Sequence, residues 1–243
     1  MVDGVSGAII AAGRGERLRG ASGGLPKPLV EIDGETLLAR QIRYIAAAGA
    51  YPVHAIVNHE TARLIAERGL AMPAEAQIIV RDTANSMESL LALGERIAPG
   101  RFLMTTVDTV VASAEFQHFV TRATSLTDPR GEMPFDGALA VVQWRGDRHP
   151  LFAEIAAGGI IGALGERESA MVTAGIYLFS TRIFAFADAA RSAGMDAMRR
   201  YLGLLLDHGM KFAACTVDGV IDVDEAADLD AARALAAGRN VGS

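Results

Sequence analysis

The sequence predicts an α/β protein: a doubly wound, mostly parallel sheet with a smaller mixed or antiparallel section in its second half. Three observations predict it. Short apolar runs alternate with helically spaced stretches through the first half, the first run empties into a glycine-rich loop, and a later run stops at an aspartate. At 243 residues the chain suits one such domain, and its longest apolar runs are too short to cross a membrane as a helix.

Val5 to Ala11 reads as the first strand, and Thr36 to Ala48 has helical spacing with Gly49 as its stop. Pro52 to Val57 is the second strand, followed by a helix from about Glu60 to Arg68, and Gln77 to Val80 is the third strand. Asn85, with Glu88 three residues on, has the pattern of a capping box for a helix running to about Ile97. Arg101 to Val107 is a fourth strand that ends at Asp108. From about residue 128 the rhythm changes. Asp128 to Pro134 forms a loop, and strands near 137–144, 151–156 and 159–164 suggest a mixed, lid-like section laid over the sheet. Met171 to Ser180 is another strand, and helices follow at about 181–191 and 195–208. Strand 211–217, Asp222-Val-Asp224 and an alanine-rich helix complete the order. With no repeat or linker visible, 1–243 reads as one domain with halves of about 1–127 and 128–243.

Composition narrows the function. Lysine and arginine total 23 against 29 acidic residues, a formal charge of −6, which disfavours nucleic acid and anionic membrane as partners. The single cysteine, Cys215, excludes a disulfide framework and reads as an inert core thiol. His54, His59, His118, His149 and His208 show no metal-ligand pairing, and no Gly-x-Ser-x-Gly or His-Glu-x-x-His motif occurs. The first residues carry no signal-peptide pattern, so a cytoplasmic location is expected. Only Lys27 and Lys211 are lysine, which directs attention to both.

Ligands of an open α/β sheet bind at the carboxyl ends of its strands, so the loop after the first strand is the most informative stretch. It runs Ala11-Ala12-Gly13-Arg14-Gly15-Glu16-Arg17-Leu18-Arg19-Gly20. A dinucleotide fingerprint fails because Leu18 stands where its third glycine belongs; a P-loop fails because Gly20 is followed by Ala21 and Ser22. The same residues, followed by Pro26-Lys27-Pro28-Leu29, closely resemble the two-part signature of the MobA-like and sugar-phosphate nucleotidyltransferases. Those enzymes transfer NMP from an NTP to a phosphorylated acceptor. The resemblance implies a Rossmann-like, GT-A-like fold, a nucleotide-binding first half and an acceptor-binding second half. It also implies that Ala11, Ala12, Gly13, Gly15, Arg17 and Lys27 meet the nucleotide. The chemistry is apt: glycines let backbone N–H groups approach phosphates, Arg17 neutralises the leaving pyrophosphate, and Lys27 is a point charge held between prolines.

The resemblance extends further. Phe102-Leu-Met-Thr-Thr-Val107-Asp108 is similar to the family's strand ending in an Mg²⁺-holding aspartate, with Val107 where many relatives have Gly. Asp222 and Asp224, alternating on one side of an extended strand, are the expected further ligands, with either as the direct one. Asp108 and Asp224 have rival roles as helix caps, and Asp228 reads as a complement to the last helix dipole. Asp82, Asn85 and Ser89 fall where the family recognises the base. Asn85-x-x-x-Ser89-Leu-Leu is more similar to the phospho-alcohol cytidylyltransferases, acting on inositol 1-phosphate or phosphocholine, than to the thymidylyltransferases. Thr173 and Gly175 lie on the strand that resembles the acceptor-contacting one. The loop Arg145 to Pro150 reads equally as acceptor-phosphate contact or solvated turn.

The expectation is an Mg²⁺-dependent nucleotidyltransferase with CTP favoured and a phosphorylated alcohol as acceptor, a sugar 1-phosphate being the nearest alternative. An inactive nucleotide-binding regulatory domain, a molybdopterin guanylyltransferase and a nicotinamide dehydrogenase are the rivals.

Overall fold

The computed structural model describes residues 4–20, 22–126, 135–146 and 150–237. The loop expected from Asp128 to Pro134, and Arg148 and His149 of the Arg145 to Pro150 loop, lie outside the described residues. The first half alternates as expected. Strand β1 (Val5–Ala11) leads through the glycine-rich loop to a single helical turn, α1 (Glu16–Arg19). A 3-10 turn over Lys27–Leu29 and a small hairpin of β2 (Glu31–Ile32) and β3 (Glu35–Thr36) precede helix α2 (Leu37–Ala47). Then come β4 (Val53–Val57), α3 (His59–Glu67), β5 (Ala76–Val80), α4 (Ser86–Gly94), β6 (Arg101–Thr106), β7 (Thr109–Val111) and α5 (Ser113–Leu126).

Helix starts follow cap chemistry. Thr36, Asn58 and Asn85 each accept a hydrogen bond from the backbone N–H three residues on. The capping box at Asn85 is only half made, because the Glu88 carboxylate pairs with Arg191 at 2.8 and 2.9 Å instead of returning to the cap. Helix α4 also stops at Gly94 rather than near Ile97.

The second half comprises β8 (Gly137–Gln143), β9 (Phe152–Ala156), β10 (Ile160–Gly165) and β11 (Met171–Ser180). Helices α6 (Ala187–Ser192) and α7 (Met198–Asp207), strands β12 (Phe212–Thr216) and β13 (Val220–Asp222), and helix α8 (Ala226–Ala236) follow. The helix expected at 181–191 is a 3-10 turn over Thr181–Phe186 that only then becomes α6. Packing explains the tighter winding: the Phe184 ring stacks on Phe102 at 5.4 Å and lies against Gly94.

One nine-stranded sheet runs in the order β5-β4-β1-β6-β11-β8-β12-β10-β9. The mixed section is present as a continuation of this sheet, where β11 runs antiparallel between β6 and β8, and not as a layer laid over it. Every residue of β1 and β4 is buried, as strands covered on both faces must be. Helices α2, α5 and α8 pack on one face; α4, α6 and α7 pack on the other. A separate pair, β7 with β13, lies at the carboxyl ends of the parallel strands and brings Asp222 opposite Thr109.

His54 is the odd residue of this core. It lies on β4, 4% exposed, and neither ring nitrogen has a hydrogen-bond partner among the described residues. Burial, with a contribution from Arg96, holds its pKa below the ordinary value. The unfolded chain therefore binds a proton that the folded chain refuses, and stability falls as pH drops below the unfolded histidine pKa of about 6.5. His54→Leu is expected to remove that slope. Thermal melts from pH 8 to 5.5 should converge for the variant and diverge for the wild type; parallel curves would contradict it.

Candidate active site

A cleft of about 1510 Å³ opens at the carboxyl ends of the parallel strands, where the doubly wound topology puts ligands. Its wall on the β1 side is the glycine-rich loop. Gly15 adopts φ +58°, and a Cβ there would come within 2.8 Å of the Lys27 Cβ. The glycine thus lets the two halves of the signature touch, which no other residue type would allow without displacement. The Asn58 side chain donates to the Ala12 carbonyl at 3.2 Å and holds the loop from the neighbouring strand.

The chemistry-bearing side chains converge at Lys27. Its Nζ donates to Asp108 Oδ2 at 2.9 Å and Asp224 Oδ1 at 2.6 Å, with the side chain only 12% exposed. Arg17 donates to the other oxygen of Asp224 at 3.0 Å. Burial lowers the Lys27 pKa, but the Asp108 and Asp224 carboxylates outweigh it and leave the ammonium above the usual lysine value. For Asp224, burial raises the pKa, and the hydrogen bonds and charges of Lys27 and Arg17 overcome it, so the carboxyl is held below its usual value. Asp222 is the opposite case. Its depth in the cleft and then the charges of Asp108 and Asp224 push it above the usual carboxylate range.

Beneath these groups lies a hydroxyl pair. Thr106 and Thr109 share a hydrogen bond of 2.8 Å, and Thr109 Oγ1 donates to Asp222 Oδ1 at 3.3 Å. Gln41 on α2 donates to the Thr109 carbonyl, and the Val223 N–H donates to the Asp108 carbonyl at 3.0 Å. Asp228 accepts from the Asp224 and Glu225 N–H groups, so beyond complementing the helix dipole it closes a capping box at the start of α8, with Glu225 rather than Asp224 at the cap position. Among the described residues, no three His, Cys, Asp or Glu side chains are arranged as a metal cage.

Most expected residues line this one cleft: Ala12, Gly13, Gly15, Arg17 and Lys27; Asp82, Asn85 and Ser89; Asp108, Thr173, Gly175, Asp222 and Asp224. Ala11 does not. As the last residue of β1 it turns into the core, 1% exposed, while Ile10 and Ala12 face the cleft. All three base-side residues already have protein partners: the Asn85 side chain accepts from the Glu88 N–H at 3.0 Å as the cap of α4. Ser89 shares a hydrogen bond of 2.6 Å with Thr83, and Asp82 accepts from the His59 N–H at 3.0 Å. The sequence reading omitted Asn58, Thr106, Thr109 and Arg199. Asn58 carried a signal, its cap position after a strand; exposed Arg199, which lines the cleft from α7, carried none.

The model of the MobA-like NTP transferase domain matches residues 7–175. The bifunctional IPC transferase and DIPP synthase of Rubrobacter xylanophilus is 36% identical over 111 residues; the match covers 44% of this chain and only 24% of that protein. The inositol-1-phosphate CTP transferase of T. maritima superposes with a TM-score of 0.74 at 14% identity, over 98% of both chains. A Bacillus anthracis protein assigned as a glucose-1-phosphate thymidylyltransferase superposes at 0.78 with 16% identity, again over 98% of each. At those identities the two structures establish the fold.

Proposed function

The chain belongs to the MobA-like NTP transferase family, and on that premise we propose that it transfers CMP from CTP to a phosphorylated alcohol with release of pyrophosphate. The observation that carries the reading is the convergence of Arg17 and Lys27 with Asp108, Asp222 and Asp224 at the strand ends. An acceptor phosphate oxygen attacks the α-phosphorus; the bond to the β-phosphate oxygen breaks as the new P–O bond forms. The nucleophile is already anionic, so no general base is needed, and catalysis is positioning and charge neutralisation.

Lys27 is suited to the α-phosphate and Arg17 to the phosphates that leave, since both are cations reached by the glycine-rich loop. Mg²⁺ suits the donor set: the groups are hard oxygens carrying excess negative charge, and that ion usually takes one or two carboxylates and leaves the rest to phosphate and water. Asp108 with Asp222 or Asp224 would hold it, and it would neutralise charge on the phosphates. The backbone from Ala12 to Gly15 and the loop from Asp82 to Ser89 flank the base side, and Thr173 faces the acceptor side.

The preference for CTP rests on Asn85-x-x-x-Ser89-Leu-Leu and on the fold shared with the inositol-1-phosphate CTP transferase of T. maritima. A sugar 1-phosphate acceptor is the second reading, favoured by the 0.78 superposition on the Bacillus anthracis protein. The test is pyrophosphate release from each NTP in turn with a panel of phospho-alcohols and sugar 1-phosphates in MgCl₂. The highest kcat/KM is expected with CTP and a phospho-alcohol. Release only with a sugar 1-phosphate would favour the second reading, and no release with any pair would overturn both.

A further inference from the structure

Four positive side chains line the cleft: Arg14, Arg17 and Lys27 from the two parts of the signature, and Arg199 from α7. Arg14 stays out in solvent, 3.9 Å from its neighbour Glu16, and Arg199 is exposed. Arg17 and Lys27 are committed inward to the very carboxylates that a divalent cation would need. Lys27 bridges Asp108 and Asp224 at 2.9 and 2.6 Å, and Arg17 takes the second oxygen of Asp224 at 3.0 Å. Of Asp108, Asp222 and Asp224, then, two already have counter-charges, supplied by side chains that the reaction would want on phosphate.

We propose that Lys27, assisted by Arg17, is a tethered stand-in for the divalent cation: it pairs with the carboxylates that would hold the metal and bars the metal until a nucleotide draws it away. This inference rests on the nucleotidyltransferase reading of the site. The physical step is an exchange of partners. A triphosphate carries more negative charge than the Asp224 carboxylate, so Lys27 and Arg17 move onto phosphate oxygens, and Asp108 and Asp224 are left as free anions beside Asp222. The bare carboxylates then attract the divalent ion that the phosphates also chelate. Metal and nucleotide therefore enter together, and the free protein does not take up metal alone. The short, partly buried stem of Lys27 favours this role: with the Lys27 backbone wedged between Pro26 and Pro28 and its Cβ against Gly15, only the outer part of the side chain has to swing.

The probe is Mn²⁺, titrated into the full chain and followed by loss of the free-ion electron paramagnetic resonance signal. Four samples decide the question: wild type, Lys27→Met, Lys27→Arg and Arg17→Ala, each with its melting temperature recorded. Wild type is expected to bind Mn²⁺ alone weakly. Lys27→Met, which keeps the stem and removes the charge, should bind it tighter by roughly tenfold or more. Lys27→Arg should show no gain, and Arg17→Ala a smaller gain that does not depend on the folding of the Lys27 variants. Equal Mn²⁺ affinity in wild type and Lys27→Met, whether tight or undetectable in both, would overturn the proposal. A separate series adds each NTP to wild type with Mn²⁺ and reads protein-bound Mn²⁺ by equilibrium dialysis with the same NTP on both sides of the membrane, because NTP alone chelates the ion. If no NTP increases Mn²⁺ uptake, the nucleotidyltransferase reading fails, while the comparison without nucleotide still judges the stand-in role.

Discussion

Lys27→Ala should lower kcat by roughly a thousandfold, which is about 4 kcal/mol of transition-state stabilisation, while leaving a folded protein. The size follows from the kind of interaction lost. A preorganised cation in a partly enclosed cleft acts where phosphate charge redistributes during transfer, and it requires no reorganisation at that moment. Its ion pairs with Asp108 and Asp224 are a different matter for stability. The two carboxylates are 26% and 33% exposed and can recruit solvent or ions, so their loss costs about 1–2 kcal/mol at most. The two effects separate experimentally: kinetics fall by orders of magnitude, and the melting temperature by a few degrees, roughly 2–4 °C per kcal/mol at this chain length. Lys27→Arg is expected to recover little. The guanidinium is larger and planar, and the Lys27 side chain is only 12% exposed, so a fork-shaped group cannot take the place of a compact ammonium between Asp108 and Asp224. Activity of Lys27→Ala within about tenfold of wild type would remove the lysine from the chemistry.

The position of Lys27 was legible because Pro-Lys-Pro-Leu constrains its own backbone; its partners were not, because Asp108 and Asp224 lie 81 and 197 residues away. Local chemistry reads well in this chain. The caps at Thr36, Asn58 and Asn85, the strand at Val5–Ala11 and the turn at Gly15 depend on neighbours within a few residues, and each is where residue type puts it. Non-local pairing reads poorly. Strands β7 and β13 are three residues each, too short for a periodicity signal, and they exist because Val110 and Ile221 find each other across the top of the sheet. The result matters for the site, since that pairing seats Asp222 over Thr109. Alternation alone placed Asp222 and Asp224 on one side of a strand. In the fold they meet different groups, one a threonine hydroxyl and the other an ammonium and a guanidinium, because β13 ends at Asp222 and the chain turns into α8. The 3-10 turn at Thr181–Phe186 shows the same limit: its helical periodicity was visible, but the ring stacking that winds it tighter comes from Phe102 on β6.

Gly175→Ala should cost about 2–4 kcal/mol of stability and reduce activity with it, for two reasons that can be measured apart. The first is backbone strain. Gly175 has φ +67° at the point where β11 slips register, two extra residues being accommodated between Thr173, opposite Val141, and Tyr177, opposite Leu139. An alanine in that left-handed conformation costs roughly 1–2 kcal/mol. The second is collision. The added Cβ would lie 2.0 Å from Thr109 Oγ1 and 2.6 Å from Thr106 Oγ1, and neither hydroxyl is free to retreat. Thr109 is 1% exposed, and its Oγ1 is bonded to Thr106 and Asp222. Relieving the overlap displaces the hydroxyl that orients Asp222, so the damage reaches the carboxylates from below, independently of any acceptor contact at Gly175. A double-mutant cycle separates the causes. Thr109→Ala removes the atom at 2.0 Å and leaves φ unchanged, so Gly175→Ala should be less costly in that background by about 1 kcal/mol or more, while the strain remains. Melting temperatures of the four proteins measure it. An undiminished penalty in the Thr109→Ala background would mean that the Thr109 hydroxyl is not what limits this position, leaving strain and the Thr106 hydroxyl at 2.6 Å, and a Gly175→Ala protein as stable and active as wild type would mean that the bulge can reorganise without moving Asp222.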